Sequence, residues 1–357
     1  MLNPIRGRGI SESPGNRFER FAVEADLDAL EELRRVEPEF ALPAPKTQFF
    51  RDDSQSIISR NASPDIGFSA SLNPYRGCEH GCAYCYARPY HEYLGFNAGL
   101  DFESKIMVKP RAADLLEEEL AKRSWRPEVL ACSGVTDCYQ PVERELRMTR
   151  QCLEVLAEFR NPVALITKNH LITRDVDVLG ELASHGAAAA VISVTTLDAE
   201  LARVMEPRAS TPNFRLEALR QLSEAGIPTG VSLAPVIPGL NEHEMPAILE
   251  AAAACGASFA FYTVVRLPHG VKDLFSAWLE EQVPGQKDKV LGRIRELRGG
   301  GLNESEFGTR MRGSGQLADD LAQMFRIACR KHGLNRSRVE LSTEAFRRVS
   351  PGQMELF

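Results

Sequence analysis

Short apolar runs alternate with segments of helical hydrophobic spacing between about Ile66 and Pro268. The runs predict strands at Val129–Ser133, Val163–Thr167, Ala188–Val194, Thr229–Val236 and Ser258–Val265, with a first strand near Gly67–Leu72. Helices are predicted between them at Ala112–Lys122, Leu146–Phe159, Asp175–His185, Phe214–Ala225 and Glu244–Cys255. Successive β/α units predict a parallel sheet. Because the region is shorter than the roughly 250 residues of an eight-unit barrel, we expect an α/β fold with an open, partial (β/α)6 barrel.

Two extensions flank this predicted core, which spans residues 67–268. Residues 1–66 form a partly irregular N-terminal extension with one acidic helical stretch at Asp26–Glu37. Residues 269–357 form a helical C-terminal extension that ends in a flexible tail. Its helices are expected near Lys272–Glu281, Gln286–Arg298 and Gln316–Lys331. Gly299–Gly315 is then either a lid over the barrel mouth or a plain surface loop.

Composition narrows the class of protein. The chain has 357 residues, 43% hydrophobic and 26% charged, with a net charge of −6. This charge disfavours whole-surface binding of nucleic acid but leaves room for a local basic patch. No apolar run reaches the roughly 18 residues of a membrane-spanning helix, and the first residues carry no apolar signal segment. We therefore expect a cytoplasmic protein that makes no membrane contact.

Three of the eight cysteines cluster in the segment Cys78-Glu-His-Gly-Cys82-Ala-Tyr-Cys85. Soft sulfur ligands on one short loop select an iron–sulfur cluster or zinc. Glycines at 77 and 81 allow the backbone to curl around a metal. Three ligands leave one coordination position for substrate or cofactor. A closed zinc site with His80 or His91 as fourth ligand is the alternative.

The spacing Cys-x3-Cys-x2-Cys, with Tyr84 before the last cysteine, resembles the signature of radical S-adenosylmethionine (radical SAM) enzymes, which fold as partial TIM-type barrels. The resemblance implies a [4Fe-4S] cluster held by Cys78, Cys82 and Cys85. S-adenosylmethionine would bind the remaining iron and be cleaved reductively to a 5′-deoxyadenosyl radical that removes hydrogen from substrate. An electron donor of the flavodoxin or ferredoxin type is implied as well.

Within that superfamily the chain is similar to the spore photoproduct lyase branch of DNA-repair-photolyase-like proteins. The similarity rests on Asn73-Pro-Tyr-Arg-Gly-Cys78 and Thr136-Asp-Cys-Tyr-Gln-Pro141. It implies a catalytic hydrogen-donor role for Cys132, with Cys138 as the alternative thiol. It also implies cofactor-binding roles for Tyr84, Tyr86, Ser133, Lys168, Ser193, Ile237 and Gly239, although Pro235 replaces the first glycine of the Gly-x-Ile-x-Gly motif.

Simpler interpretations of these residues stay open. Cys132 would be a buried small apolar residue, Lys168 a surface lysine, and Ser193 a strand hydroxyl that bonds locally.

The last five residues, Gln353–Phe357, resemble the peptide by which bacterial repair proteins bind the sliding clamp. The alternative is that Leu356 and Phe357 fold back onto the core. Together these features predict a radical SAM enzyme with a lyase-like repair reaction on damaged or modified DNA. The alternatives are a radical SAM enzyme that modifies RNA, peptide or a small metabolite, and a non-enzymatic, zinc-stabilised binding protein.

Overall fold

The computed structural model describes residues 5, 7–19 and 46–349. The predicted acidic stretch at Asp26–Glu37 and the C-terminal segment Gln353–Phe357 lie outside these residues. The strands of the described part are β1 (Gln48–Arg51), β2 (Ile58–Arg60), β3 (Ala70–Leu72), β4 (Tyr75–Arg76), β5 (Lys105–Val108), β6 (Leu130–Cys132), β7 (Val163–Thr167), β8 (Ala188–Ser193), β9 (Thr229–Val236) and β10 (Phe259–Val264).

Helices follow most strands of the large sheet. They are α1 (Leu100–Ser104), α2 (Ala112–Ala121), α3 (Glu143–Leu146), α4 (Met148–Phe159), α5 (Val176–Ser184), α6 (Ala199–Met205), α7 (Pro212–Glu224), α8 (Met245–Ala254), α9 (Val271–Gln282), α10 (Lys287–Leu297) and α11 (Gln316–His332). No helix in the described part of the chain is both long and apolar enough to span a membrane.

The large sheet has the order β10-β9-β8-β7-β6-β3-β2. Six of its strands run parallel in chain order, and β2 pairs antiparallel with β3 at one edge. The predicted series of β/α units and the partial barrel are therefore confirmed. The carboxyl ends of these strands meet at one edge, where α/β barrels place their active sites.

The two faces of the sheet differ in packing. Leu72, Cys132 and Leu165 are aligned across three strands and fully buried in the core under the helices. Their neighbours Ser71 and Ala164 point to the opposite face and are only half-buried. The side chains in this row, Ser71, Ala131 and Ala164, are all small.

A second, three-stranded sheet with the order β1-β5-β4 lies beside the barrel. Its strand β1 comes from the extension that the sequence predicts as partly irregular. Residues 7–19 pack against the same region: Gly9 N donates to Glu103 Oε2 over 2.9 Å, and Leu100 N donates to Glu12 O over 3.2 Å. The described part of the extension is therefore ordered against the core.

The loop Gly299–Gly315, here named the strap, bridges the open side of the barrel. Val264 N, at the end of β10, donates to Met311 O over 2.9 Å. At the other edge, Gly308 N and Arg310 Nε donate to the carboxylate of Asp65, between β2 and β3, over 2.7 and 2.5 Å. The strap therefore joins the two edge regions of the sheet.

Candidate active site

The clustered cysteines lie on a tight loop that follows β4, at the carboxyl edge of the large sheet. Gly77 and Gly81 have positive φ angles of 77° and 66°. A Cβ atom at Gly81 would stand 2.6 Å from the carboxylate of Glu103, so a larger residue does not fit. The loop carries three free thiols, the buried Cys78 and Cys82 and the half-buried Cys85.

These thiols lie close enough to influence one another. Burial raises the pKa of Cys78 well above its usual range, and Asp137, Cys82 and Cys85 raise it further. Burial likewise raises the pKa of Cys85. A metal that replaces the thiol protons would supply the compensating positive charge. Three sulfur donors on one loop, two of them buried, therefore fit an iron–sulfur cluster.

The alternative zinc site lacks a free histidine. His80 Nδ1 lies 3.3 Å from Asp137 Oδ2, and its Nε2 lies 3.2 Å from the Asn169 amide nitrogen. His91 Nε2 lies 2.9 Å from Lys105 O. Within the described ranges, no group of three or more His, Cys, Asp or Glu side chains could hold a metal ion. Zinc needs its ligands around one ion, whereas each thiolate of a cluster binds a separate iron, so the arrangement favours the cluster.

The second sequence motif, Thr136–Pro141, supports the cysteine loop directly. Thr136 Oγ1 and Gln140 Nε2 donate to Gly77 O over 2.5 and 3.3 Å. Gln140 Oε1 accepts from Glu79 N over 2.9 Å. The two motifs that carry the resemblance are therefore in contact, and Gln140 is fully buried at their junction.

Asp137 of the same motif links the loop to the end of β7. Its carboxylate accepts from Thr167 Oγ1 over 2.6 Å and from Lys168 N over 2.9 Å, and it faces His80. Burial by itself would raise the pKa of Asp137, but His80 and these hydrogen bonds lower it to about 2. The ionised carboxylate therefore fixes the backbone at Lys168.

A buried carboxylate, Glu206, joins the other side of the loop to the barrel. Tyr84 Oη donates to Glu206, and Arg215 forms an ion pair with it. Lys168 Nζ lies 3.9 Å from Glu206 Oε1, and Arg215 Nη1 donates to Ser193 O over 3.1 Å. Three predicted cofactor residues, Tyr84, Lys168 and Ser193, thus meet in one network.

Tyr86 and Ser133 lie on adjacent loops. Tyr86 Oη donates to Gly134 O over 2.6 Å, and its ring is 44% exposed. Ser133 Oγ donates to Thr136 O over 3.1 Å. The cysteine loop and the loop after β6 therefore face each other at the carboxyl edge of the sheet.

The loop after β9 carries the predicted adenine-contacting residues. Ile237 is fully buried, and its backbone N–H donates to Asn241 Oδ1 over 2.6 Å. Gly239 has a φ of 89°, and a Cβ atom there would stand 3.3 Å from Val290. Asn241 also donates to Thr195 O over 2.8 Å, which connects this loop to the end of β8.

Cys132 and Cys138 are both inaccessible. Cys132 pairs in register with Leu72 and Leu165, on the face of the sheet that packs against the helices. Cys138 is also fully buried, and its Sγ donates to Cys132 O over 3.5 Å. A hydrogen-donor role for either thiol stays a prediction, and it would require the loop after β6 to move.

The family model for the radical SAM superfamily matches residues 72–252, which include all three clustered cysteines. The chain belongs to the radical SAM superfamily. An uncharacterised protein of Mycobacterium tuberculosis (strain ATCC 25618 / H37Rv) is 34% identical over 234 residues, or 65% of this chain and 68% of that protein. The radical SAM Nalpha-GlyT isomerase of Pseudomonas phage M6 is 24% identical over 202 residues, or 56% of this chain and 40% of that protein.

This radical SAM chain also shares its fold with solved structures. Spore photoproduct lyase complexed with dinucleoside spore photoproduct superposes with a TM-score of 0.57 at 15% identity, covering 80% of each chain. A further spore photoproduct lyase structure covers 89% of this chain with a TM-score of 0.58 and 14% identity. The fold is therefore that of spore photoproduct lyase.

The protein is a radical SAM enzyme, and the cofactors of this family are a [4Fe-4S] cluster and S-adenosylmethionine. The cysteine spacing in the sequence predicts the three clustered thiols, and Asp137 lies within the second motif, where the sequence assigns it no role. The sequence pattern missed Glu206, Arg215 and the His80–Asp137 contact. No spacing pattern marks these residues, because the chain brings them together only through the ends of four different strands and helices.

Proposed function

We propose that this radical SAM enzyme performs a lyase-like repair or modification reaction on DNA. The fold that it shares with spore photoproduct lyase over 80% of both chains carries the proposal, since that structure contains a dinucleoside lesion. The open face of the partial barrel and the half-exposed Tyr86 beside the cysteine loop support it. Enzymes that act on a base extrude its nucleotide from the duplex into the active site, which suits chemistry at the end of a barrel.

The chain's own residues have distinct tasks in this proposal. Cys78, Cys82 and Cys85 would hold the cluster, which together with bound S-adenosylmethionine supplies hydrogen abstraction from substrate. Lys168 and Ser193, at the ends of adjacent strands, would orient the cofactor's carboxylate. Tyr86 and Ser133, on the two loops that face each other, would also contact the cofactor. The loop of Ile237 and Gly239 would lie beside its adenine.

Tyr84 and Cys132 differ in accessibility from the other candidates. Tyr84 is buried and bonded to Glu206, so it would support the cofactor site from behind. Cys132 would act as hydrogen donor only after the loop after β6 moves, because its thiol is buried in the core.

The test is anaerobic reconstitution with iron and sulfide, followed by dithionite and S-adenosylmethionine. Formation of 5′-deoxyadenosine is measured with UV-irradiated duplex DNA, with unirradiated DNA and without DNA, and Cys82→Ala is the control. Cleavage that needs Cys82 and rises with irradiated DNA is the expected result. Cleavage that is indifferent to DNA would refute the DNA proposal and favour RNA, peptide or a small metabolite as substrate.

Metal analysis tests the remaining alternative, a non-enzymatic zinc-stabilised binding protein. A colourless protein that contains only zinc after anaerobic preparation would favour it.

Two partners follow from the same proposal. Radical SAM enzymes need an electron donor, and a flavodoxin or ferredoxin would supply the electron here.

The second proposed partner is the bacterial sliding clamp, which would bind Gln353–Phe357. These five residues lie outside the described part of the chain. Removal of these five residues should abolish clamp pull-down, and retained binding would refute the docking prediction.

A further inference from the structure

Arg266 lies two residues after β10, and among the described residues it forms no ion pair and no hydrogen bond to an oxygen atom. Its Nη1 donates to Met311 Sδ of the strap over 3.7 Å, and its guanidinium lies 5.6 Å from the centre of the Tyr86 ring. Its Nε is buried and has no hydrogen-bond acceptor. No carboxylate in the described part of the chain forms an ion pair with it. Several N–H groups of this guanidinium are therefore available to donate to an anion.

The surroundings of Arg266 carry more positive than negative charge. Arg298 is 4% exposed, and among the residues that the structure describes its guanidinium donates only to the carbonyls of Val265 and Thr309. Arg310 shares the carboxylate of Asp65 with a backbone N–H. Burial lowers the pKa of Arg266 and the nearby Arg310 lowers it further, whereas Tyr86, Tyr90 and Asp65 raise it by smaller amounts. A bound anion would relieve this repulsion.

Exposed aromatic rings lie around Arg266 and Arg310. Tyr86 is 44% exposed, Tyr90 is 54% exposed, and Phe307 of the strap is 59% exposed. The Arg310 guanidinium lies 4.5 Å from the centre of the Phe307 ring. Arginines interleaved with exposed rings are the usual surface for single-stranded nucleic acid, where bases stack and phosphates are neutralised.

Arg266 lies beside the cysteine loop, which would hold the cluster. Tyr86 follows the cluster cysteine Cys85 directly, and Met311 belongs to the strap that bridges the barrel opening. Arg266 therefore stands between the cysteine loop and the strap.

We propose that Arg266 binds a backbone phosphate of the DNA strand that carries the substrate nucleotide. Its fork of N–H groups would contact the phosphate oxygens, and the exposed rings of Tyr90 and Phe307 would stack against neighbouring bases. This inference rests on the proposed function and deepens it, because it assigns a substrate-binding residue that the resemblance did not imply.

The test measures binding of fluorescent octathymidylate to the reconstituted enzyme at several salt concentrations. Arg266→Ala should weaken binding about tenfold. It should also lower the slope of log affinity against log salt by about 0.7, the value for one lost phosphate contact on single strands. Arg266→Lys should recover part of the affinity, because it keeps the charge without the fork.

Two controls separate the outcomes. Arg326→Ala removes an exposed arginine of α11 that donates to Ala322 O of its own helix, and it should change neither affinity nor slope. An uncharged methylphosphonate octathymidylate should bind the Arg266→Ala variant and the unaltered enzyme equally. Unchanged affinity and slope in Arg266→Ala would overturn the phosphate contact while DNA binding stands. Absence of octathymidylate binding in the unaltered enzyme would overturn this inference, whereas the proposed function is judged separately by 5′-deoxyadenosine formation with irradiated duplex DNA.

Discussion

The charged side chains at this site mainly neutralise one another. Glu206 is the clearest case, because it is fully buried and faces Tyr84, Arg215 and Lys168. A buried ion pair is costly to break, since the remaining charge stays desolvated. Glu206 is thereby a positioning residue: it holds the cysteine loop through Tyr84 and the end of β8 through Arg215.

We expect Glu206→Gln to lower the free energy of unfolding by about 3–5 kcal/mol, because Arg215 loses its carboxylate in the core. Iron bound per chain after reconstitution should fall as well. Glu217→Gln is the matched control on α7, since Glu217 forms an exposed pair with Arg220 and should cost less than about 1 kcal/mol. Chemical denaturation and iron analysis check both variants. Equal losses in the two variants would contradict the role of Glu206.

His91 gives a prediction about pH. Burial lowers its pKa from 6.5 to about 4, so folding favours the neutral ring. The unfolded chain therefore binds more protons between these values, and stability falls as pH drops from about 6.5 to about 4. The contribution lost is on the order of 3 kcal/mol.

His91→Gln keeps a donor for Lys105 O but cannot titrate. Its free energy of unfolding should change less with pH over this window than that of the unaltered protein. Parallel pH profiles for the two proteins would refute the assignment to His91.

At the scale of elements, the hydrophobic pattern predicted the parallel strands and most helices, because each buries a regular stripe or run. The helix predicted at Leu146–Phe159 is observed at Met148–Phe159, and its start is displaced by two residues because Arg147 takes a left-handed conformation with a φ of 56°. The sequence pattern did not predict strands β1, β2, β4 and β5 or helices α1, α3 and α6. They are short, and β1 is exposed along its whole length, so long-range pairing with β5 rather than local pattern defines it.

The N-terminal segment was also unpredictable from local pattern, because its contacts are with residues far along the chain. Gly9 packs directly on the cysteine loop: a Cβ atom there would stand 1.5 Å from Gly81 O. Nearby, Arg88 is fully buried, donates to Cys82 O over 2.9 Å and pairs with Glu103, which also accepts from Gly9 N. The segment therefore covers one side of the loop.

We expect Gly9→Ala to displace this segment from the loop, because the backbone leaves no space for a methyl group. The [4Fe-4S] absorbance of the reconstituted enzyme should then decay severalfold faster after an iron chelator is added. Gly67→Ala is the control, since nothing lies within 4 Å of a Cβ atom at that position and its φ is not left-handed. Identical decay in both variants would show that the N-terminal segment does not shield the loop.

At the scale of the whole molecule, the cysteine loop is where separate parts of the chain converge. Residues 7–19 cover one side of the loop. The motif after β6 donates a hydrogen bond to the backbone of Gly77, and Glu206, just after α6, accepts one from Tyr84. Net charge alone gave little sign of a nucleic-acid site, because −6 is a sum over the chain. Arginines 266, 298 and 310 meet only after the strap has joined the two edges of the sheet.

This convergence predicts that iron stabilises the entire fold rather than the loop alone. A metal that binds the folded chain and not the unfolded one adds its binding free energy to folding. We expect the unfolding temperature of the reconstituted protein to lie at least about 5 °C above that of the chelator-treated protein, the shift that a few kcal/mol gives in a domain of this size.

Cys82→Ala should remove this difference. Cys255→Ala changes a buried cysteine outside the loop and should keep the difference. Anaerobic thermal unfolding followed by circular dichroism measures both. If the difference survived in Cys82→Ala, the stabilising iron would be bound elsewhere, and the three-cysteine site would have to be abandoned.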